Sequence, residues 1–282
     1  MTTLQYSAIR ITLASGVAYV TIDNPPVNVL DVRLMTELRD YLLGVRDDPS
    51  VKVIVFQSAD PEFFIAHVDM TLIDSQHTLV DLARDVPPDQ NLFQAFSELV
   101  RHQPQVTIVK LAGLARGGGA EFVTAADMAF AAIGQAGLGQ IEALMGIVPG
   151  GGGTQYLTQR MGRSRALEVL LGADLVDAVT AERYGWVNRA VPAVELDDFV
   201  DRLARQIAAL PDGVIAEAKR AVSQTDLSAG FIRENAAWAT LAFRPLAEQI
   251  LRGGLAQGAQ TREGERQLES LMRTVNDRLA LP

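Results

Sequence analysis

Glu121 and Glu142 are the residues whose types and surroundings could do acid–base chemistry. Each is a solitary acid among glycines and apolar side chains. Glu121 lies in Arg116-Gly117-Gly118-Gly119-Ala120-Glu121-Phe122, and Glu142 in a stretch running from Gly137 through Gln140-Ile141-Glu142 to Pro149 and Gly150–Thr154. Taken singly, Glu121 reads as an acid complementing the positive end of a helix dipole, and Glu142 as an exposed loop acid. Together, two carboxylates about twenty residues apart in such settings are what an acid/base pair acting on one small substrate would look like. Burial would raise the Glu121 pKa and a helix dipole would lower it, so its protonation state stays open at this level. The triple glycine lets a ligand approach backbone N–H groups at a helix start, which suits negative charge. The plainer alternative is that these glycines only permit tight packing. With no Lys-Ser/Thr following, the turn is not a Walker loop, and Glu121 and Phe122 break the G-x-G-x-x-G pattern.

A third stretch, Pro61 to Met70, follows the apolar run Val51–Phe56. Its Asp69 can cap a turn or short helix. His67 reads as a packed or hydrogen-bonded histidine rather than a catalytic one.

The elements that must position these residues follow from pattern. Arg10 to Asp23 reads as a hairpin about Ser15-Gly16. Asp31 to Val45 carries Leu34, Leu38 and Leu42 at helical spacing. Val51–Phe56 and Gln105–Ala112 are nearly continuous apolar runs, as in strands covered on both faces, and a helix is expected over Gln90–Val100 between them. From Gly152 the pattern turns helical (Thr154–Met161, Arg165–Leu171, Thr180–Tyr184, Val194–Leu210, Val214–Thr225, then about Leu227–Leu279), interrupted by strand-like Trp186–Val191. The expected class is α/β, with a core over residues 1–200 and a helical C-terminal region over 201–282.

Composition limits the chemistry. The 282 residues, 48% hydrophobic and 21% charged, suffice for a sizeable core. With no cysteine, disulfides, thiolate zinc sites and cysteine nucleophiles are excluded. His67, His77 and His102 lack the spacing of a metal site, so no metal is expected. A net charge of -9 without a basic stripe argues against nucleic acid. Neither a leader pattern nor a run of about eighteen apolar residues is visible, and the expectation is a cytoplasmic protein without a membrane partner. An anionic substrate would need local Arg or Lys side chains.

In order and spacing, these stretches resemble the enoyl-CoA hydratase/isomerase (crotonase-like) family from about Ile9 to about Val222. The family's Ala-Gly-x-Asp segment is similar to Ala66-His67-Val68-Asp69, Gly-Gly-Gly-x-Glu to Gly117–Glu121, Gln-x-Glu to Gln140–Glu142, and Pro-Gly-x-Gly-Gly-Thr-Gln to Pro149–Gln155. Gly162–Glu168, Ala181–Val187 and Ala216–Lys219 resemble later helices, and Asn24–Leu30, with Val27, resembles the stretch along the coenzyme A path. The resemblance implies a spiral of ββα turns with a helical C-terminal region that builds homotrimers or homohexamers. It implies an acyl-CoA thioester as substrate and no prosthetic group, since the coenzyme belongs to the substrate. It further implies Val68 and Gly118 as oxyanion-hole N–H donors, with Ala66, His67, Asp69 and Gly117 around them. Glu121 and Glu142 would be the acids that hydrate a 2-enoyl-CoA, Glu121 activating water and Glu142 giving a proton to the α-carbon. An isomerase or another acyl-CoA lyase of the family is the alternative, and a non-catalytic acyl-CoA binding protein a third. His67 stands where the family has glycine, so a site requiring positive φ there would strain it or demand a different loop.

Overall fold

The computed structural model describes residues 6–222 and 225–280. β1 (Ile9–Ala14) and β2 (Val17–Ile22) form the expected antiparallel hairpin. In α1 (Val32–Val45), the Asp31 side chain caps the helix by accepting from the Leu34 N–H, and the leucines at 34, 38 and 42 are buried.

Three strand pairs follow: β3 (Val53–Ser58) with β4 (Phe63–Ile65), β5 (Val106–Leu111) with β6 (Leu114–Arg116), and β7 (Met128–Ile133) with β8 (Gly137–Gly139). Helices α2 (Val80–Ala83) and α3 (Leu92–Arg101) come after the first pair, α4 (Gly118–Ala125) after the second and α5 (Gly153–Gly172) after the third. Each pair gives its first strand to a six-stranded sheet, ordered β1-β2-β3-β5-β7-β10, and its second to a four-stranded sheet, β4-β6-β8-β9. The chain thus advances by one strand in both sheets per turn, which is the expected ββα spiral. It closes with β9 (Val176–Asp177), α6 (Ala178–Tyr184), β10 (Arg189–Pro192), α7 (Leu196–Ala208), α8 (Val214–Ala221), α9 (Ser228–Ala242), α10 (Pro245–Ala256), α11 (Arg262–Arg266) and α12 (Leu268–Ala280).

From β2 to β10 the large sheet is parallel, and its continuous apolar strands are covered on both faces. On one side α7 packs across β2, β3, β5 and β7. It crosses position 200, with Ala204 and Ala208 still in the main core. On the other side, Phe122 of α4 meets Phe56 of β3 edge-on, ring centroids 4.9 Å apart. The two helices expected over Thr154–Met161 and Arg165–Leu171 form one run, α5, broken where Gly162 takes φ 78° and ψ 161°. The helix expected to reach Thr225 stops at Ala221; residues 223–224 lie outside the described residues. Among the described residues no helix is long and apolar enough to cross a membrane.

Helix α4 lies very close to β4. A Cβ on Gly119 would sit 2.2 Å from the Ile65 carbonyl oxygen, which is backbone and cannot turn aside. Gly119→Ala should therefore cost roughly 1–3 kcal/mol or more, seen as a lower melting temperature. An unchanged melting curve would show that α4 has room this packing denies it.

Candidate active site

The three stretches singled out in the sequence converge because β4, β6 and β8 are neighbours in the small sheet, all parallel. Residues 66–69 leave the C-terminal end of β4, residues 117–121 that of β6, and residues 140–142 that of β8. Carboxyl ends of parallel strands are where α/β sheets characteristically bind ligands. Backbone bonds lace the stretches together, from the Arg116 N–H to the Ala66 oxygen (3.1 Å) and from the Gly117 N–H to the Gly139 oxygen (2.9 Å). A cleft of about 410 Å³ opens here, with Val68, Gly118, Glu121 and Glu142 at its base and Phe93 and Trp238 among its walls.

Two backbone donors face this cleft unengaged. The His67 carbonyl accepts from the Leu30 N–H at 2.8 Å, and a trans peptide points its N–H the opposite way, so the Val68 N–H turns away from Leu30. Gly118 is the first residue of α4, where N–H groups lack intrahelical partners. Among the described residues neither donor has an acceptor. They are neighbours, since a Cβ on Gly118 would come within 2.5 Å of Val68 Cγ2. The preceding turn depends on Gly117, with φ 48° and ψ −125°, a region that side chains disfavour.

Glu121, in the first turn of α4, is only 3% exposed. Its Oε1 accepts from the Gly151 and Gly153 N–H groups, each at 2.8 Å. Burial raises its pKa well above the ordinary value, the charges of Glu142 and Glu234 add to this, and the two N–H bonds pull back. Glu142 begins a 3₁₀ turn, Glu142–Met145, and is 7% exposed. It is therefore not the exposed loop acid that its sequence context alone suggested. Burial pushes its carboxyl up to about 8, with the Glu234 charge adding and His67 opposing. With its NH₂ turned toward Glu142, the Gln140 amide donates to both carboxylate oxygens, at 3.2 and 2.9 Å, which restrains that rise. Glu121 feels the charges of Glu142 and Glu234, and Glu142 that of Glu234, so the protonation of the three carboxyls is linked.

The other expected residues divide. Asp69 caps the 3₁₀ turn Met70–Ile73 by accepting from the Thr71 N–H at 2.8 Å, and it borders the cleft. Val27 and Ala66 are fully buried, packed with Val29 and Phe63, and their side chains do not line the cleft. His67 needs no glycine-like backbone: the non-glycine positions with positive φ among the described residues are Ser15, Asn28, Ala173 and Gln260. Its ring turns inward, and both nitrogens are engaged by Val68 and Glu265.

Sequence reasoning missed Glu234 of α9. It accepts from the Gly152 N–H (2.7 Å), the Thr154 N–H (2.9 Å) and the Gln94 amide (3.0 Å). Glu121 and Glu234 thus hold alternate N–H groups of the Gly151–Thr154 turn between them. The available signal was an acid on the stripe of Phe231, Glu234 and Trp238, where helical periodicity expects a side chain facing inward. Glu265 is the same case, on a stripe with the buried Leu268, Met272 and Val275.

The sequence profile described as enoyl-CoA hydratase/isomerase matches residues 12–255, beyond Val222, where the resemblance read from motifs stopped. A carnitinyl-CoA dehydratase of Proteus mirabilis is 31% identical over 231 residues, covering 79% of this chain and 84% of that protein. A crotonyl-CoA hydratase of Syntrophomonas wolfei is 29% identical over 228 residues, covering 79% and 85%. The crystal structure of a candidate enoyl-CoA hydratase from Streptomyces avermitilis superposes with a TM-score of 0.95 at 63% identity, over 97% of this chain and 100% of that one. With the strand-by-strand spiral and the profile match over most of its length, this chain belongs to the enoyl-CoA hydratase/isomerase family.

Proposed function

We propose that the protein hydrates the double bond of a 2-enoyl-CoA thioester to give the 3-hydroxyacyl-CoA. The observation that carries this reading is the placement of two buried carboxylates, Glu121 and Glu142, at the base of one cleft beside two unengaged backbone N–H groups. The Val68 and Gly118 N–H groups receive the thioester oxygen. As water adds at C3 its negative charge moves onto that oxygen, and fixed donors are worth most where charge develops in a water-poor site. Glu121, whose Oε1 accepts two backbone N–H bonds that favour the ionised form against burial, is the member of the pair that gives up its proton to act as carboxylate, and it takes a proton from the water whose oxygen bonds to C3. Glu142, kept protonated by burial, gives its proton to C2 as the enolate collapses. H and OH are then added across the double bond, and proton exchange with solvent resets the pair.

Arg33, bonded to Asn24 beside the Asn24–Leu30 stretch, is the cation we assign to the coenzyme phosphates; Arg262 bonds the Pro26 carbonyl, but its charge is already paired with Asp60 and Glu62. Exposed Ile232, Phe243 and Leu246 support assembly of copies into a trimer or hexamer. Apolar Leu72, Phe93 and Trp238 favour an uncharged acyl chain. An acyl group ending in a carboxylate, such as 3-methylglutaconyl, should show kcat/KM at least about tenfold below that of crotonyl-CoA, because an unpaired charge is costly in apolar surroundings. Equal values would overturn this assignment of the walls.

The experiment that tests the function follows loss of the conjugated enoyl-thioester absorbance with short and medium 2-enoyl-CoA esters, using the Glu121→Gln/Glu142→Gln double variant as control. Rapid loss confined to the unmodified protein is expected. Absence of loss, with the ester still bound in calorimetry, would refute hydration.

A further inference from the structure

The segment from Gln260 to Glu269 reaches back into the candidate oxyanion loop at four points. The Gln260 side chain accepts from the Met70 N–H at 2.7 Å and donates to Asp69 at 2.9 Å. Glu265 of α11 takes His67 Nε2 at 3.0 Å. Glu269 of α12 takes the Arg116 guanidinium through Nε (2.6 Å) and a terminal nitrogen (3.0 Å). His67 directly precedes Val68, and Arg116 stands two residues before Gly118, so both unengaged N–H groups adjoin a side chain tied to the C-terminal helices.

The contacts of His67 define its protonation. Nδ1 lies 2.7 Å from the Val68 carbonyl oxygen, which can only accept, so Nδ1 carries a hydrogen. Nε2 faces Glu265 Oε1, which already accepts from the Gln260 N–H at 2.8 Å, while Glu265 Oε2 lies 3.8 Å from Arg116. A carboxyl that accepts an amide N–H and has a guanidinium within ion-pair range, though not hydrogen-bonded to it, is ionised, so Nε2 is the donor in that contact as well. The buried cluster then balances, with Arg116 and His67 cationic and Glu265 and Glu269 anionic, and burial without such balance is strongly unfavourable. Both ring protons are spent on protein acceptors, which leaves none for a substrate.

Resting on the reading of Val68 and Gly118 as the oxyanion hole, we infer that His67 is a doubly protonated positioning residue, clamped by Glu265 of the C-terminal helices, and that this cluster sets the pose of both donors. The charged groups facing the ring are Glu265 from α11, Arg116 from β6 and Glu142 across the cleft base. Burial opposes the imidazolium, but the charge and hydrogen bond of Glu265 outweigh it and hold the His67 pKa above the ordinary value.

The test compares Glu265→Gln, His67→Gly and the double variant with unmodified protein, reading kcat and KM with crotonyl-CoA and the infrared carbonyl stretch of the bound, carbonyl-labelled thioester. Each single change leaves the cluster with one unbalanced charge, and the double change restores balance. Expected are kcat losses of roughly ten- to hundredfold in the singles, as for a displaced donor, with KM changed little and a weakened carbonyl shift. The double variant should lose less than either single. Retention of kcat and carbonyl shift in Glu265→Gln, with only melting affected, overturns the inference. Nitrogen NMR of ¹⁵N-histidine protein at pH 8 gives a reading without any variant, since the chain has 3 histidines to assign. Two protons on His67 are expected, and a neutral ring with an unprotonated nitrogen overturns the inference. A carbonyl shift without hydration in the unmodified protein defeats the hydratase reading alone, whereas no shift defeats both.

Discussion

Glu142→Gln should bind 2-enoyl-CoA almost unchanged, hydrate it about 10²- to 10⁴-fold more slowly, and melt at a higher temperature than the unmodified protein near neutral pH. The rate falls because the amide cannot give a proton to C2. The stability gain follows from linkage. Folding raises the Glu142 pKa from an ordinary 4.5 to about 8. Below 4.5 the group is protonated in both states and contributes nothing. Between the two values the unfolded chain ionises while the folded one must hold its proton, so stability is lost as pH rises. At pH 7 the cost is on the order of 3 kcal/mol, and glutamine does not incur it. The melting advantage should thus vanish near pH 4.5 and grow toward pH 8. The same shift predicts that hydration by the unmodified protein declines above about pH 8, as Glu142 loses its proton. A Glu142→Gln protein that hydrates normally would remove this residue from the mechanism. If Glu121→Gln loses hydration but still moves the double bond of a 3-enoyl-CoA, the isomerase alternative becomes the better reading.

Removing one oxyanion donor should cost about 10²- to 10³-fold in kcat. Gly118 permits this without breaking its helix, because the first helical position tolerates proline and its N–H is unpaired there. The new ring would meet Val68 Cγ2, which lies 2.5 Å from where a Cβ at Gly118 would sit, so the change is best made with Val68→Ala. Gly118→Pro/Val68→Ala, measured against Val68→Ala alone, removes the N–H and puts the ring Cδ in its place, which also crowds the oxygen it served. Calorimetry with a saturated acyl-CoA reports the steric part as weaker binding, and a kcat loss at saturation beyond that reports the donor, which matters most once charge has moved onto oxygen. Equal kcat values would place the developing charge elsewhere.

Much of this protein is legible in local pattern. The hairpin about Ser15-Gly16, the helix expected from Asp31 to Val45, the strands expected at 51–56 and 105–112 (found at 53–58 and 106–111) and the cap at Asp69 come out close to expectation, because each depends on side chains a few residues apart. The motifs around 66–69, 117–121 and 140–142 also resemble one family in order and spacing, and the profile match bears out that membership.

What only the tertiary structure decided depends on contacts between distant segments. Glu142 reads as an exposed acid until α10 and α12 fold over its 3₁₀ turn, and that burial is what raises its pKa. Glu234 reaches the Gly151–Thr154 turn from about eighty residues away, and Glu265 meets His67 across nearly two hundred. Periodicity can say that such acids face inward, but not what they meet. The sequence determined the fold family and singled out two of the three carboxylates of the candidate site through local patterns. The protonation of His67 and the coupling of those acids were decided by burial and by charges that only the closed spiral brings together.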